Sequence, residues 1–473
     1  MADYRDIDPV FPGRNEGCFH ASKGPFRFVL LIFTCMLTFG SYFCFDMPSV
    51  LQNTFTAPLH PNSTGNCSTV DGKPIDKIHS NGTHCSSGLE LTETQFNLLY
   101  AIYAWTNAIV VVLAGFLIDK LGNPIGALLF SSMCLAGTSV FAIGLYFNGE
   151  SAMVPIFLLG RILFGSGNGS LTIVQNRISA MWFKGKELAF AFGCILAFSR
   201  LGSVLNFFLT EGFNEKYGLQ WTLWGGAILC GVGVVCAVVV SLMDVIGLKQ
   251  LNKKIEMEIE SKRMRLMDIK HFSSSFWLLA FCLMFFYIGV FPFIANASKF
   301  IYVNYNETFR FTKQESSYIA GSVYMVSMLF GPLMGLFVVR QTKHLKRCKG
   351  LKRQHSSFCS IPHKGTALGL TTSIQMIGMG IANIIVGKML DDIRSKYKWK
   401  YVMIFLLANT LACVTFAILV NIDDRRKGGV LNRSPRNRDN ALIEGPANNY
   451  GSISTSGYTN KDALLYDSST SIN

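Results

Sequence analysis

Charged residues are scarce in this sequence. Asp, Glu, Lys and Arg together form 15% of its 473 residues, whereas about 25% is usual in soluble domains. Apolar residues form 50%, and Phe alone occupies 38 positions. This balance excludes an ordinary soluble enzyme and a disordered chain, and it is typical of a polytopic membrane protein with basic flanks.

The motifs of several enzyme classes are also absent. The sequence holds no Walker loop, no HExxH, no GxSxG and no pair of intramembrane Asp residues. ATP-driven pumping and intramembrane proteolysis therefore have no sequence support. The 13 Cys residues include no CxxC pair, and we expect no enzyme activity, no cofactor and no metal site.

Long apolar stretches are what the sequence does have. A helix needs about 20 residues to cross ~30 Å of hydrocarbon. Ten stretches qualify: 26–50, 95–117, 124–147, 153–176, 187–209, 221–243, 275–301, 316–339, 365–389 and 401–422. We therefore predict an all-α polytopic membrane protein with about ten spans.

The basic residues predict which loops face the cytosol. The 244–274 loop is rich in Lys and Arg, and the 340–364 segment has eight basic residues and no acid. The positive-inside rule places both in the cytosol, together with residues 1–25 and the tail 423–473. The tail has few large apolar residues, so we expect it to be disordered. The net charge of +14 thus reports orientation and gives no support to a nucleic-acid partner.

The 51–94 loop is predicted to face the opposite side, in the lumen or outside the cell. It holds three N-glycosylation sequons, at Asn62, Asn66 and Asn81, and a fourth sequon at Asn306 follows the seventh span on the same side. Cys67 and Cys85 lie in this loop, where the compartment is oxidising, and they are candidates for a disulfide.

Three charged residues lie within the predicted spans, where charge is costly unless it serves a pathway. Arg200 lies midway along the fifth span, and we expect it to bind a substrate carboxylate. Asp46 fits an interfacial helix end as well as it fits a functional site. The side chain of Lys299 is able to extend to the membrane surface. Five polar residues lie near these charges in the predicted spans: Tyr103, Trp105, Gln175, Asn176 and Asn206. We expect them to line a cavity with the charged residues, or instead to form interhelical hydrogen bonds.

Two motifs resemble signatures of the major facilitator superfamily. The second span ends in Gly115-Phe-Leu-Ile-Asp119-Lys120-Leu-Gly122, which resembles the GxxxD-[KR]-x-G gating signature; a basic flank with a turn glycine is the simpler interpretation. Arg161-Ile-Leu-Phe-Gly165-Ser-Gly167 in the fourth span resembles the R-x-x-x-G-x-G pattern, and we expect its glycines to form a helix-packing groove.

Longer stretches are similar to a family of lysosomal dipeptide carriers within that superfamily, over about 26–340 and 361–422. They include FLIDKLG (116–122), WFKGKELAFAFG (182–193), SRLGSVLN (199–206) and FPFIANASKF (291–300). The resemblance implies a uniporter that moves dipeptides by alternating access. It also implies a place in the lysosomal membrane, with the plasma membrane as the alternative, and an accessory glycosylated lysosomal membrane protein as partner. Arg200 and Lys299 match the family's charged substrate contacts.

The sequence departs from the family pattern in two ways. Gly169 stands where the family has a Glu for the substrate's amino group. The superfamily has twelve helices in two halves, whereas this sequence gives a six-helix half, 26–243, and an incomplete half, 275–422, which lacks the ninth and tenth helices. Two alternatives therefore stay open: a transport-dead variant that acts as a membrane scaffold or partner, and a carrier of organic anions or other small solutes.

Overall fold

The computed structural model describes residues 20–21, 24–58, 69–70, 73–74, 88–183, 186–250, 274–347, 364–392 and 397–426. Several residues singled out in the 51–94 loop lie outside the described residues: the sequon residues Asn62, Asn66 and Asn81 and the disulfide candidates Cys67 and Cys85. The chain divides into two units, Met1–Val420 and Asn421–Asn473. The helix packing and the cavity described below belong to the first unit.

The described residues are almost entirely helical. The helices are α1 (Gly24–Leu37), α2 (Phe39–Val50), α3 (Gln52–Phe55), α4 (Glu93–Leu121), α5 (Asn123–Gly144), α6 (Met153–Trp182), α7 (Lys186–Gln250), α8 (Ser274–Phe309), α9 (Lys313–Arg347), α10 (Lys364–Asp392) and α11 (Lys398–Arg426). A short 3-10 turn, Leu145–Phe147, follows α5, and two strands, Thr69–Val70 and Lys73–Pro74, pair antiparallel within the 51–94 loop.

Eight segments of the described residues are long and apolar enough to cross a membrane. One of them, Phe190–Gln250, contains two spans, because Gly218 at φ 84° interrupts α7 between a first and a second arm. The 35-residue helix α9 coincides with the predicted eighth span. The all-α polytopic class is thus confirmed. The residues between α9 and α10, 348–363, are fewer than one span requires.

The first predicted span, 26–50, is a single membrane-spanning segment, Gly24–Val50, that is built from two helices, α1 and α2. The break falls at Thr38, whose carbonyl accepts the Tyr42 N–H at 3.0 Å and the Ser41 hydroxyl at 2.8 Å. Hydroxyl groups that bond back to a helix carbonyl in this way bend the helix. The Thr38 hydroxyl itself donates to the Gln175 side chain at 3.3 Å.

The ends of α4 follow from local sequence. Thr92 and Gln95 form a reciprocal capping box at its start, which satisfies two backbone donors that the first turn leaves free. Gly122 ends the helix at φ 83°, a conformation that glycine adopts without strain. Pro124 then occupies the first turn of α5, where its missing N–H costs nothing.

Glycine permits the close approach of α5 and α6, as the fourth-span motif predicts for that region. A methyl group at Gly137 would overlap the backbone of Phe164 and stand 2.8 Å from the carbonyl oxygen of Gly160. A methyl group at Gly167 would stand 2.7 Å from the carbonyl oxygen of Phe130. Small residues allow such contacts between helix backbones in lipid.

A buried hydrogen bond joins the C-terminal end of α6 to the second arm of α7. Trp182, the last residue of α6, donates its indole N–H to Asp244 Oδ1 at 2.7 Å. Asp244 lies in the second arm of α7, and both side chains are buried. The bond satisfies a donor and a carboxylate that burial would otherwise leave without a partner.

Candidate substrate cavity

A cavity of ≈ 410 Å³ lies between helices of the N-terminal six-span region and helices α8, α9 and α10. The residues that line it come from α2, α4, α6 and the first arm of α7 on one side, and they include Asp46, Asn107, Asn168 and Arg200. Tyr287, Tyr324 and Gln375 line it on the other side. A volume of this size is typical of small-molecule sites.

The cavity extends from the middle of the spans toward the end that the basic loops assign to the cytosol. Val112 and Gly115 line it from the second half of α4, which starts on the lumenal side. Gly369 and Leu370 line it from the first turns of α10, which starts on the cytosolic side. The cavity thus follows the half of the helices that the basic loops predict to face the cytosol, and the words cytosolic and lumenal are used in this predicted sense.

Asp46 and Arg200 are the charged members among the described residues that line this cavity. Tyr324 stands between them: its hydroxyl donates to Asp46 Oδ1 at 3.0 Å, and the guanidinium carbon of Arg200 lies 5.4 Å from the centre of its ring. The ring face therefore receives a cation–π contact while the hydroxyl holds the carboxylate. The structure brings together the two charges that the sequence singled out in the first and fifth spans.

Two of the predicted polar residues also line the cavity, Tyr103 and Asn176. The Tyr103 hydroxyl accepts a hydrogen bond from Asn168 Nδ2 at 2.8 Å, and its ring packs 4.8 Å from that of Phe45. Asn168 and Asn107 also contribute amide groups to the lining.

The other three predicted polar residues lie outside the cavity lining and form contacts between or along helices. Gln175 donates to the carbonyl oxygen of Thr34 at 2.6 Å, and Asn206 accepts from Thr210 at 2.6 Å. The indole nitrogen of Trp105 packs directly against Gly380 of α10. The bond of Gln175 agrees with the alternative of interhelical hydrogen bonds, whereas Asn206 bonds within its own helix and Trp105 packs against a neighbouring helix.

Lys299 does not line the cavity with Arg200, in contrast to the expectation that both would contact one substrate. It lies near the lumenal end of α8, where it forms an ion pair with Glu93 and donates to Thr56 Oγ1 at 2.6 Å. The reason for the separation is helix direction: α8 rises toward the lumen and carries Lys299 beyond the level of the cavity.

Amide side chains extend this ion pair into a network. Gln52 Nε2 donates to Glu93 Oε2 at 3.1 Å and to Asn296 Oδ1 at 2.7 Å. Asn296 Nδ2 donates in turn to Asn97 Oδ1 at 2.9 Å. We call Glu93, Lys299, Gln52, Asn296 and Asn97 the lumenal latch, because they join α3 and α4 to α8.

Asp391, near the end of α10, binds the first turn of α4. Its two carboxylate oxygens accept the backbone N–H groups of Glu93 at 2.9 Å and Thr94 at 2.7 Å. A carboxylate at a helix N-terminus is stabilised by the free N–H groups and by the helix dipole. The lumenal end of the cavity is thus crossed by contacts from both α8 and α10, while the cavity follows the cytosolic half.

The gating-motif residues occupy the cytosolic end of α4. Gly115 lines the cavity, Lys120 is exposed and Gly122 forms the turn. Asp119 lies within α4, and its side chain is outside what the structure describes. Asn306, the described sequon residue, is exposed near the lumenal end of α8.

Comparison with known proteins places this fold in a family. The model of the Major Facilitator Superfamily matches residues 28–351. The chain is 29% identical to the human lysosomal dipeptide transporter MFSD1 over 91% of this chain and 93% of that one. It is 30% identical to the mouse protein of the same name over 89% and 91%.

Solved structures agree on the fold. A crystal structure of the peptide transporter POT in complex with sulfate has a TM-score of 0.52 at 12% identity, over 84% of this chain and 95% of that one. A likeness at this identity concerns the fold alone. The family model covers most of the chain, and the solved structure has a similar fold. The chain is therefore a multi-pass membrane transporter that belongs to the Major Facilitator Superfamily.

Proposed function

We propose that the protein is a facilitative carrier of dipeptides across the lysosomal membrane, with Arg200 as the group that holds the peptide carboxylate. The observation that carries this proposal is the position of Arg200: it is the one cation among the described residues that line the cavity. A guanidinium group recognises a carboxylate through two parallel hydrogen bonds. Its Nε is buried without a hydrogen-bond partner among the described residues.

The two ends of the cavity support transport by alternating access. The lumenal latch and Asp391 close one end, whereas the cavity extends toward the other. A carrier must be able to release these contacts and close the cytosolic side instead. The lysosomal location is supported by the names of the MFSD1 relatives, and the accessory glycosylated lysosomal membrane protein remains a prediction from sequence resemblance.

Uptake by proteoliposomes that contain the purified full-length chain tests the proposal. We expect saturable uptake of a labelled dipeptide, and we expect Arg200→Ala to reduce it by at least tenfold, because a charge-assisted hydrogen-bond pair is worth about 1.5–3 kcal/mol. Arg200→Lys keeps the positive charge but loses the planar guanidinium that forms two parallel hydrogen bonds, so this variant should retain only part of the uptake.

Arg27→Ala is the matched control for loss of a cation. Arg27 is half-buried and pairs with Glu187 at 3.0 Å, away from the cavity, and an exposed pair of this kind contributes little. Its uptake should equal that of the unaltered protein. Dipeptide uptake that survives Arg200→Ala unchanged contradicts the site assignment, and binding of the accessory glycoprotein without any flux favours the scaffold alternative.

A carrier of organic anions is the second candidate, and the neutral residue at position 169 is the observation that favours it. Competition separates the two. Monocarboxylates and amino-blocked peptides that compete as well as free dipeptides would support an anion carrier, whereas selective competition by free dipeptides supports the first candidate.

A further inference from the structure

Position 169 is neutral, and the described side chain nearest to it is the uncharged amide of Asn107. Gly169 lines the cavity beside Asn107. A methyl group built on Gly169 would overlap the Asn107 amide oxygen and stand 2.6 Å from its Cγ. The Asn107 side chain therefore fills the space that a side chain at position 169 would enter, and this wall of the cavity presents an uncharged amide.

The acidic group of the cavity lies instead on α2. Asp46 is 1% exposed, and it is the one carboxylate among the described residues of the cavity lining. The hydroxyl of Tyr324 donates to Oδ1 at 3.0 Å, while Oδ2 is buried and has no hydrogen-bond partner among the described residues. An intramembrane carboxylate with an unused oxygen is costly unless it meets a ligand or a cation.

The two charges of the cavity complement a zwitterion. Arg200 and Asp46 lie on either side of Tyr324, and the remaining described lining is apolar or carries neutral amide and hydroxyl groups. A peptide with free ends carries one ammonium and one carboxylate group. We propose that Asp46, held by Tyr324, binds the substrate's ammonium group and sets the preference for free over blocked amino termini; this inference rests on the proposed dipeptide transport.

The test compares uptake of a dipeptide with uptake of its N-acetylated form in proteoliposomes. The unaltered carrier should prefer the free peptide. Asp46→Asn should reduce uptake of the free peptide by about tenfold or more, the loss expected for one charge-assisted hydrogen bond. It should leave uptake of the acetylated peptide within about twofold, so that the preference ratio falls toward one.

Two Tyr→Phe variants in the same cavity form a matched pair that preserves side-chain volume. Tyr324→Phe removes the hydroxyl that holds Asp46 and should reduce the preference ratio by about threefold, in line with one neutral hydrogen bond. Tyr103→Phe removes a hydroxyl bonded to Asn168 and should change uptake of both peptides in equal proportion. This pair tests the proposal even if Asp46→Asn fails to fold.

The outcomes separate this proposal from the proposed function. A carrier that moves no dipeptide contradicts both. Dipeptide transport with a preference ratio that Asp46→Asn and Tyr324→Phe leave unchanged overturns the role of Asp46 and leaves dipeptide transport standing. Equal losses for both peptides in these variants assign Asp46 a structural role and also overturn the proposal.

Discussion

Lys299 of α8 and Glu93, the first residue of α4, form an ion pair at the lumenal end of the cavity. The side chains are 15% and 10% exposed, so the pair is largely shielded from solvent. Removal of one partner from such a pair leaves a buried charge and is more costly than removal of both. The pair joins a helix of the first half to a helix of the second half, and its strength therefore bears on how readily the lumenal side opens.

Glu93→Gln should open the lumenal side and lower stability. We expect the free energy of unfolding to fall by about 1–3 kcal/mol, less than for a fully buried pair because Thr56 still accepts from Lys299. Hydrogen exchange measured by mass spectrometry should become faster in the first turns of α4 and in the last turns of α8. The double variant Glu93→Gln, Lys299→Met should recover part of the loss; equal or greater instability in the double variant would show that the unpaired charge of Lys299 is not the cause of the loss.

Asp391→Asn should loosen the start of α4 without an effect on the cavity. The substitution removes the charge that two backbone N–H groups bind, at a cost of about 1 kcal/mol. Amide exchange at Glu93 and Thr94 should increase. Asp392→Asn is the control, because Asp392 is exposed and adjacent but makes neither contact; identical exchange in the two variants would contradict the capping role.

Gly137→Ala should destabilise the protein more than Gly169→Ala. At Gly137 the obstructing atoms belong to the backbone of Phe164, which is unable to move without the helix, whereas at Gly169 they belong to the Asn107 side chain, which rotates. Overpacking of a rigid contact costs about 1–3 kcal/mol. Thermal unfolding in detergent measures the difference. Gly231→Ala controls for the loss of glycine, because the nearest neighbour of a methyl group there, in Leu135, is 4.0 Å away. The reverse order of stabilities would contradict the close approach of α5 and α6.

Asp244→Ala should be more harmful than Asp244→Asn. Both variants remove the charge, but Asn keeps an oxygen that accepts from the Trp182 indole N–H, whereas Ala leaves that buried donor without a partner. An unsatisfied buried donor costs about 1–3 kcal/mol. Denaturant or thermal unfolding of the two variants measures the difference; equal stabilities would show that the bond is dispensable.

Hydropathy predicted the helices well because each span must satisfy its backbone internally and present apolar side chains to lipid. The limits of ten stretches agree with the helices to within a few residues at most ends. The break at Thr38 escaped prediction, since hydropathy carries no information about a hydroxyl that bonds to a carbonyl of its own helix. The end of α4 at Gly122, in contrast, follows directly from the sequence, because Gly-Asn-Pro is a turn signal.

The site was predictable only in part. Arg200 stood out because a charge in the middle of a span is rare, and the structure places it in the cavity. Tyr324 carried no such signal, since one Tyr in an apolar helix is ordinary. In the sequence, Lys299 resembled Arg200 because both are basic residues within a predicted span. Its partner Glu93 lies 206 residues earlier in the chain, and such a pair depends on how the two halves pack together.

The break between α1 and α2 has a consequence for motion in the membrane. A helix that bends in lipid normally exposes a carbonyl that has no water to bind, at a cost of several kcal/mol. Here the carbonyl of Thr38 has a second donor, the Ser41 hydroxyl, beside the ordinary helix bond from the Tyr42 N–H, so this carbonyl keeps a partner if the helix bond lengthens. The first span can therefore bend at Thr38, between α1, which is bound to α6 through Gln175, and α2, which carries Asp46 and packs mainly against α7.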